Sequence, residues 1–124
     1  MLAVRESPAS AYRRAAFDVR VRGAGPAELV HLCLDQVGES LAHALRGHRL
    51  ADNTARAAGL TRAHAALLAL EMGVDENAPL AGALLQVFRA ARAEILGAVT
   101  AFAPDRLERV RDDFAEIAAA LRPG

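Results

Sequence analysis

The sequence predicts an all-α protein, an antiparallel up-down four-helix bundle with an extended N-terminal arm. Hydrophobic residues make up 53% of the 124 residues and aromatic residues only 4%, so Ala, Leu and Val must build the core. Ala and Leu lose little side-chain freedom in a helix, and the residue types that favour sheets are scarce. Glycines and prolines divide the chain into segments with apolar residues at helical spacing. The length suits one domain with a single core.

Residues 1–25 differ in composition from the rest of the chain. They contain Pro8, Gly23 and Gly25, and residues 17–22 alternate between apolar and charged side chains. Alternation of this kind is typical of an extended segment. We therefore predict an arm over residues 1–25 that lies on the helices, and a single helical domain over residues 26–124.

Four segments after the arm carry apolar residues three and four positions apart. Pro26 suits the first position of a helix because its φ is fixed and it has no backbone donor to leave unpaired. Gly73 is expected to form a left-handed cap after the second helix. Short connections between the helices favour antiparallel neighbours. The predicted helices cover residues 26–47 and 51–72, and two more begin at Pro79 and Pro104.

The apolar residues within each predicted helix form a stripe expected to face the core. In the first helix the stripe is Leu29, Leu32, Cys33, Val37, Leu41, Ala44 and Leu45, and in the second it is Leu60, Ala63, Leu67 and Leu70. In the third it is Leu80, Leu84, Val87, Phe88, Ala91, Ile95 and Val99, and in the fourth it is Leu107, Val110, Phe114, Ile117 and Leu121.

Charge and cysteine content exclude several classes of protein. The formal net charge is zero and the pI is about 6.9, which argues against nucleic acid as a partner. Cys33 is the single cysteine, so no intramolecular disulfide can form and a reducing compartment is expected. No apolar run approaches the length of a membrane span, and no signal peptide is evident. We therefore expect a cytoplasmic protein without membrane insertion.

The histidines and the cysteine do not form a recognisable catalytic or metal-binding pattern. His31 and Cys33 lie two positions apart and diverge on a helix, and His43 and His48 straddle Gly47. No base or helix N-terminus lies near Cys33 to lower its pKa. We expect no enzymatic activity, no metal and no cofactor. A histidine phosphotransfer bundle with His31 as phosphoryl acceptor remains an alternative.

Some apolar residues exceed what the core stripes require. Val30 and Leu34 in the first helix, and Leu85 and Leu96 in the third, are predicted to lie on outer faces. Surplus apolar surface needs a cover. The cover could be the arm, an amphipathic helix of a partner that displaces the arm, or a second copy in a plain oligomerising bundle.

Several short motifs occur along the chain in a specific order. They are Ala11-Tyr12, Val19-Arg20-Val21, Gly25-Pro26-Ala27-Glu28-Leu29-Val30, Leu32, Leu34-Asp35, Val37, Leu80-Ala81 and Leu84 to Phe88. This order resembles the flagellar secretion chaperone family FliS, which has an N-terminal Ala-Tyr, a Val-x-Val stretch, a Ser-Pro-x-x-Leu-Ile helix start and a Leu-Tyr-Asp-Gly-Ala segment. Leu34 and Phe88 stand where the family has tyrosines, and Ala83 stands at its Asn, so the chain looks like a divergent member.

The resemblance implies a chaperone that binds the disordered C-terminal helical segment of flagellin. Such a protein prevents premature polymerisation and supports flagellar type III secretion, with export gate components as further partners and a monomer or weak homodimer as the assembly. The resemblance places Tyr12 in a movable arm, and periodicity adds Leu34 and Leu85 to the binding surface. The candidate partner-binding residues are Tyr12, Leu29, Leu32, Leu34, Leu84, Leu85, Val87 and Phe88.

Overall fold

The computed structural model describes residues 26–121, which form four α-helices and no strand. The helices are α1 (Pro26–Arg49), α2 (Asn53–Gly73), α3 (Ala81–Thr100) and α4 (Pro104–Ala120). The predicted all-α four-helix bundle is therefore confirmed for this range. The predicted arm, including Tyr12, and residues 122–124 lie outside the described residues.

The helices pack as a ring with one loose edge. α1 packs against α2 and α4, α2 packs against α3, and α3 makes far fewer contacts with α4. His31, early in α1, contacts Leu121 just after α4, and His48, late in α1, stacks on Phe102 just before α4. Helices α1 and α4 are thus antiparallel, and α1 and α3 lie diagonally across the bundle.

Leucine and alanine side chains dominate the core, as the composition predicts. Two aromatic rings, Phe88 of α3 and Phe114 of α4, meet with their centroids 5.9 Å apart and are both buried. The contiguous core consists of Leu34, Val37, Leu41, Ala44, Leu45, Leu60, Ala63, Ala66, Leu67, Leu70, Phe88, Ala91, Ile95, Ala98, Leu107, Val110, Phe114 and Ala118.

Two glycines allow the backbones of α1 and α2 to approach closely. A Cβ atom at Gly59 would lie 2.5 Å from the carbonyl oxygen of Ser40 and 2.6 Å from the backbone nitrogen of Ala44. A Cβ atom at Gly47 would lie 2.7 Å from the backbone nitrogen of Arg56. Gly47 therefore serves packing and does not end the helix, and the predicted end near Gly47 is wrong because α1 continues to Arg49.

Helix α2 is capped at its start by a side chain and at its end by extended backbone. Asp52 is the N-cap, and its carboxylate accepts a hydrogen bond from the backbone nitrogen of Ala55 at 3.0 Å. Gly73 is the last helical residue and has no positive φ, because Val74 leaves the helix in an extended conformation. The predicted left-handed cap at Gly73 is therefore wrong. The left-handed residue is Ala51 in the preceding loop, with φ 54°.

The third helix differs from its predicted stripe at both ends. It begins at Ala81 instead of Pro79, and Leu80, which precedes it, is 62% exposed. Near its C-terminus Val99 is 65% exposed, and Ala98 is buried in its place. Helix ends extend past the layer that the neighbouring helices cover, so an apolar residue there can stay in solvent.

Leu34 of α1 lies in the core and not on an outer face. It was expected on an outer face, but it is 1% exposed and belongs to the core. The reason is that α1 packs against two helices, α2 and α4, so its buried face is wider than a single stripe.

Candidate partner-binding groove

The loose edge between α3 and α4 contains an open groove of about 480 Å³. Helix α3 lines it with Val87, Ala90, Ala91 and Glu94, and helix α4 lines it with Arg106, Arg109, Val110, Asp113 and Phe114. Two adjacent alanines on α3 leave space that larger side chains would fill. The groove thus lies beside two of the small side chains of α3.

The floor of the groove consists of buried apolar residues. Phe114, Ala91 and Val110 are all buried, and the Phe88 ring packs against the Phe114 ring. Val87 rises from the floor on the α3 side and is 39% exposed. An apolar side chain placed in the groove would therefore contact apolar atoms and exclude water from them.

The rim of the groove carries four charged side chains. Glu94 and Arg106 form an ion pair 3.8 Å long between α3 and α4, at the end near the connection between these helices. Arg109 and Asp113 are exposed on α4, and neither has an ion-pair partner among residues 26–121. The apolar floor is thus flanked by polar groups, as in surfaces that bind amphipathic segments.

The length of the groove matches two turns of helix. Val87 and Glu94 mark its extent on α3, and seven residues of helix rise about 10 Å. Residues spaced i, i+3 or i+4, and i+7 on a partner helix span the same distance. The groove can therefore take two turns of an amphipathic helix.

Only part of the predicted binding surface lies at this groove. Val87 lines it and Phe88 supports its floor from below. The first and third helices do not form a shared surface, because α1 and α3 lie diagonally across the bundle and not side by side. Of the remaining predicted residues, Leu32 and Leu34 are buried, and Leu29, Leu84 and Leu85 are half-buried.

The α4 side of the groove was missed by sequence reasoning. The sequence predicts Val110 and Phe114 in the core stripe, and it gives no role to Arg109 and Asp113. The small residues Ala90 and Ala91 do not by themselves predict this wall, since small residues elsewhere in the chain, such as Gly59, let helices pack closely.

Further apolar side chains are exposed away from the groove. Leu68 and Met72 on α2 and Leu96 and Val99 on α3 are all more than one-third exposed. Leu96 was predicted to lie outside the core stripe, and its exposure confirms this.

The surroundings of His31 and Cys33 bear on the reactivity of their side chains. The Nε2 atom of His31 lies 2.9 Å from the carbonyl oxygen of Leu121. A carbonyl oxygen only accepts, so this nitrogen donates its hydrogen, and phosphoryl transfer to it would break the contact. Cys33 is half-buried, and this burial raises the pKa of its thiol above the ordinary value of 9.0.

Metal binding and membrane insertion both depend on features of the four described helices. No group of three or more His, Cys, Asp or Glu side chains within residues 26–121 is arranged to hold a metal ion. None of the four helices described is both long and apolar enough to cross a membrane.

Comparisons with known proteins gave no match. No protein-family model, curated protein or solved structure matches this chain. A proposal about its function therefore depends on the groove and on the order of motifs in the sequence.

Proposed function

We propose that the protein is a non-enzymatic cytoplasmic export chaperone that holds a disordered segment of its client as a helix in the α3–α4 groove. The resemblance in motif order is the support for the C-terminal segment of flagellin as the client. Binding would prevent premature polymerisation of flagellin until the client reaches the type III export gate.

The observation that carries this proposal is the difference between the four edges of the bundle. Among residues 26–121, three edges are closed by helix packing, and the α3–α4 edge is open above an apolar floor. A two-turn segment with apolar residues at i, i+3 or i+4, and i+7 would close this edge as a fifth helix. The charged rim would keep the groove solvated when no client is bound.

The expected affinity of this groove is modest. Burying about three Leu-sized side chains contributes up to about 9 kcal/mol, and ordering the disordered client costs about 2–5 kcal/mol. The remainder corresponds to a dissociation constant between about ten micromolar and one millimolar. Weak binding suits a chaperone that must release its client.

Isothermal calorimetry with a peptide spanning a flagellin C-terminus tests the proposal. Saturable heat is expected with the wild-type protein. Ala90→Arg places a long charged side chain in the groove and should abolish the heat. Ala93→Arg is the matched control, because Ala93 is equally exposed on α3 but does not line the groove.

Circular dichroism must show unchanged helix content for both variants. Absence of binding by the wild-type protein at millimolar peptide contradicts the proposal, and so does equal binding by the Ala90→Arg variant.

A plain oligomerising bundle is the second candidate, favoured by the exposed apolar residues Leu68, Met72, Leu96 and Val99. Light scattering separates the two candidates. A mass that stays monomeric at high protein concentration would eliminate this one.

A further inference from the structure

We infer that the α4 wall of the groove selects its client by charge. The client helix that fits carries an acidic side chain opposite Arg109 and, one turn away on the same flank, a basic side chain opposite Asp113. This inference rests on the proposed function, because it specifies the partner of the same groove.

Two of the charged side chains that line the groove remain available to pair with a partner. Four charged residues line the groove, and Glu94 and Arg106 already neutralise each other in their 3.8 Å ion pair. Arg109 and Asp113 form no ion pair with each other or with any other residue between 26 and 121. These two exposed side chains are therefore the ones that a client can pair with.

The spacing of these two charges matches the repeat of a helix. Arg109 and Asp113 are four residues apart, so they lie about 6 Å apart along the α4 axis. Side chains at positions i and i+4 of a client helix lying along α4 have the same separation. An acid and a base at this spacing can each face an opposite charge.

The two walls of the groove differ beside these charges. At the level of Arg109 and Asp113, helix α3 presents the uncharged residues Val87 and Ala90. Only the client flank against α4 therefore meets unpaired charge. A helix turned end for end presents its other flank to α4, so the charge order on one flank sets the direction in which the client lies.

The contribution of such exposed pairs is modest in affinity and larger in selectivity. Salt screens them, and they act mainly on association rate and on the rejection of wrong partners. A peptide with the wrong charge order either meets two repulsive contacts or turns end for end and loses both attractive ones, so its dissociation constant should be up to about tenfold higher at low salt.

Two designed peptides of identical composition test this inference. Each has 18 residues, an apolar stripe at i, i+3, i+4 and i+7, and one Glu and one Lys four residues apart on a single flank. The peptides differ in the order of Glu and Lys. Their dissociation constants are measured by fluorescence anisotropy at low salt with the wild-type protein and with the double variant Arg109→Asp/Asp113→Arg.

The wild-type protein should prefer one peptide up to about tenfold, and the double variant should prefer the other. The reversal is the decisive result, because Glu-before-Lys peptides are intrinsically more helical and could bind better for that reason alone. The control variant Arg111→Asp/Asp112→Arg exchanges an exposed charged pair away from the groove and should keep the wild-type preference.

The outcomes of these experiments separate a failure of the charge selection from a failure of the proposed function. If neither peptide binds, and the flagellin peptide does not bind either, the proposed function is overturned together with the inference. If both peptides bind equally, or the double variant keeps the wild-type preference, the charge selection is overturned while the groove remains a helix-binding site.

Discussion

Replacing Gly59 with alanine should destabilise the bundle by about 2 kcal/mol, although alanine is the better helix former. The added methyl group would lie 2.5 Å from the carbonyl oxygen of Ser40 and 2.6 Å from the backbone nitrogen of Ala44. Both atoms belong to the backbone of α1 and cannot rotate away. The only relief is to move α1 and α2 apart by about 1 Å, which loosens the core between them.

The expected magnitude is the difference between two opposing effects. Forcing extra volume into a packed interface costs about 1–3 kcal/mol, and a clash with rigid backbone belongs at the upper end of this range. The gain in helix propensity from Gly to Ala is about 1 kcal/mol. The clash therefore wins, and the melting temperature should fall by about 8 °C.

Urea and thermal unfolding followed by circular dichroism measure this effect. Gly97→Ala and Gly38→Ala are matched controls, since a Cβ atom at either position meets nothing within 4 Å. Each control should stabilise the protein by about 0.5–1 kcal/mol. If Gly59→Ala is as stable as these controls, α1 and α2 do not approach as closely as described and the reasoning is refuted.

Two further predictions concern an ion pair and the thiol. Arg92→Met should destabilise the protein by about 1–2 kcal/mol in urea unfolding. The reason is that Glu71, whose side chain is 12% exposed, would lose its nearest positive charge, which lies at 2.9 Å. Arg111→Met is the control and should change stability by less than about 0.5 kcal/mol. Equal effects of the two variants would contradict this. Burial raises the pKa of the Cys33 thiol above 9.0, so its contribution to stability is present below pH 9 and is lost as the pH rises above it. The rate of alkylation by iodoacetamide should therefore reach half of its maximum at a higher pH in the folded protein than in the urea-unfolded chain, and equal midpoints would refute the shift.

The helices could be predicted well because their signals are local. Pro104 and the apolar spacing from Leu107 to Phe114 define α4 without reference to any other part of the chain. The ends of α1 and α3 were predicted less well. Gly47 reads as a helix end from local propensity, but the close approach of α2 makes it an interior residue.

The candidate site could be predicted only in part. Val87 and Phe88 were singled out on α3, and both lie at or beneath the groove. Leu34 was assigned to a surface that is buried, because periodicity along one helix does not show how many neighbours cover it. The α4 wall with Arg109 and Asp113 was not predicted for the same reason.

The sequence by itself determined that the chain forms helices, where most of them begin, and which residue types build the core, since spacing, prolines and helix propensity act over a few residues. Only the tertiary structure decided which edge of the bundle stays open. That choice depends on how the small side chains of Ala90 and Ala91 meet the side chains of α4, which lie about twenty residues further along the chain. Packing between distant segments depends on the side-chain volumes of both surfaces, and the periodicity within one helix contains no information about this packing.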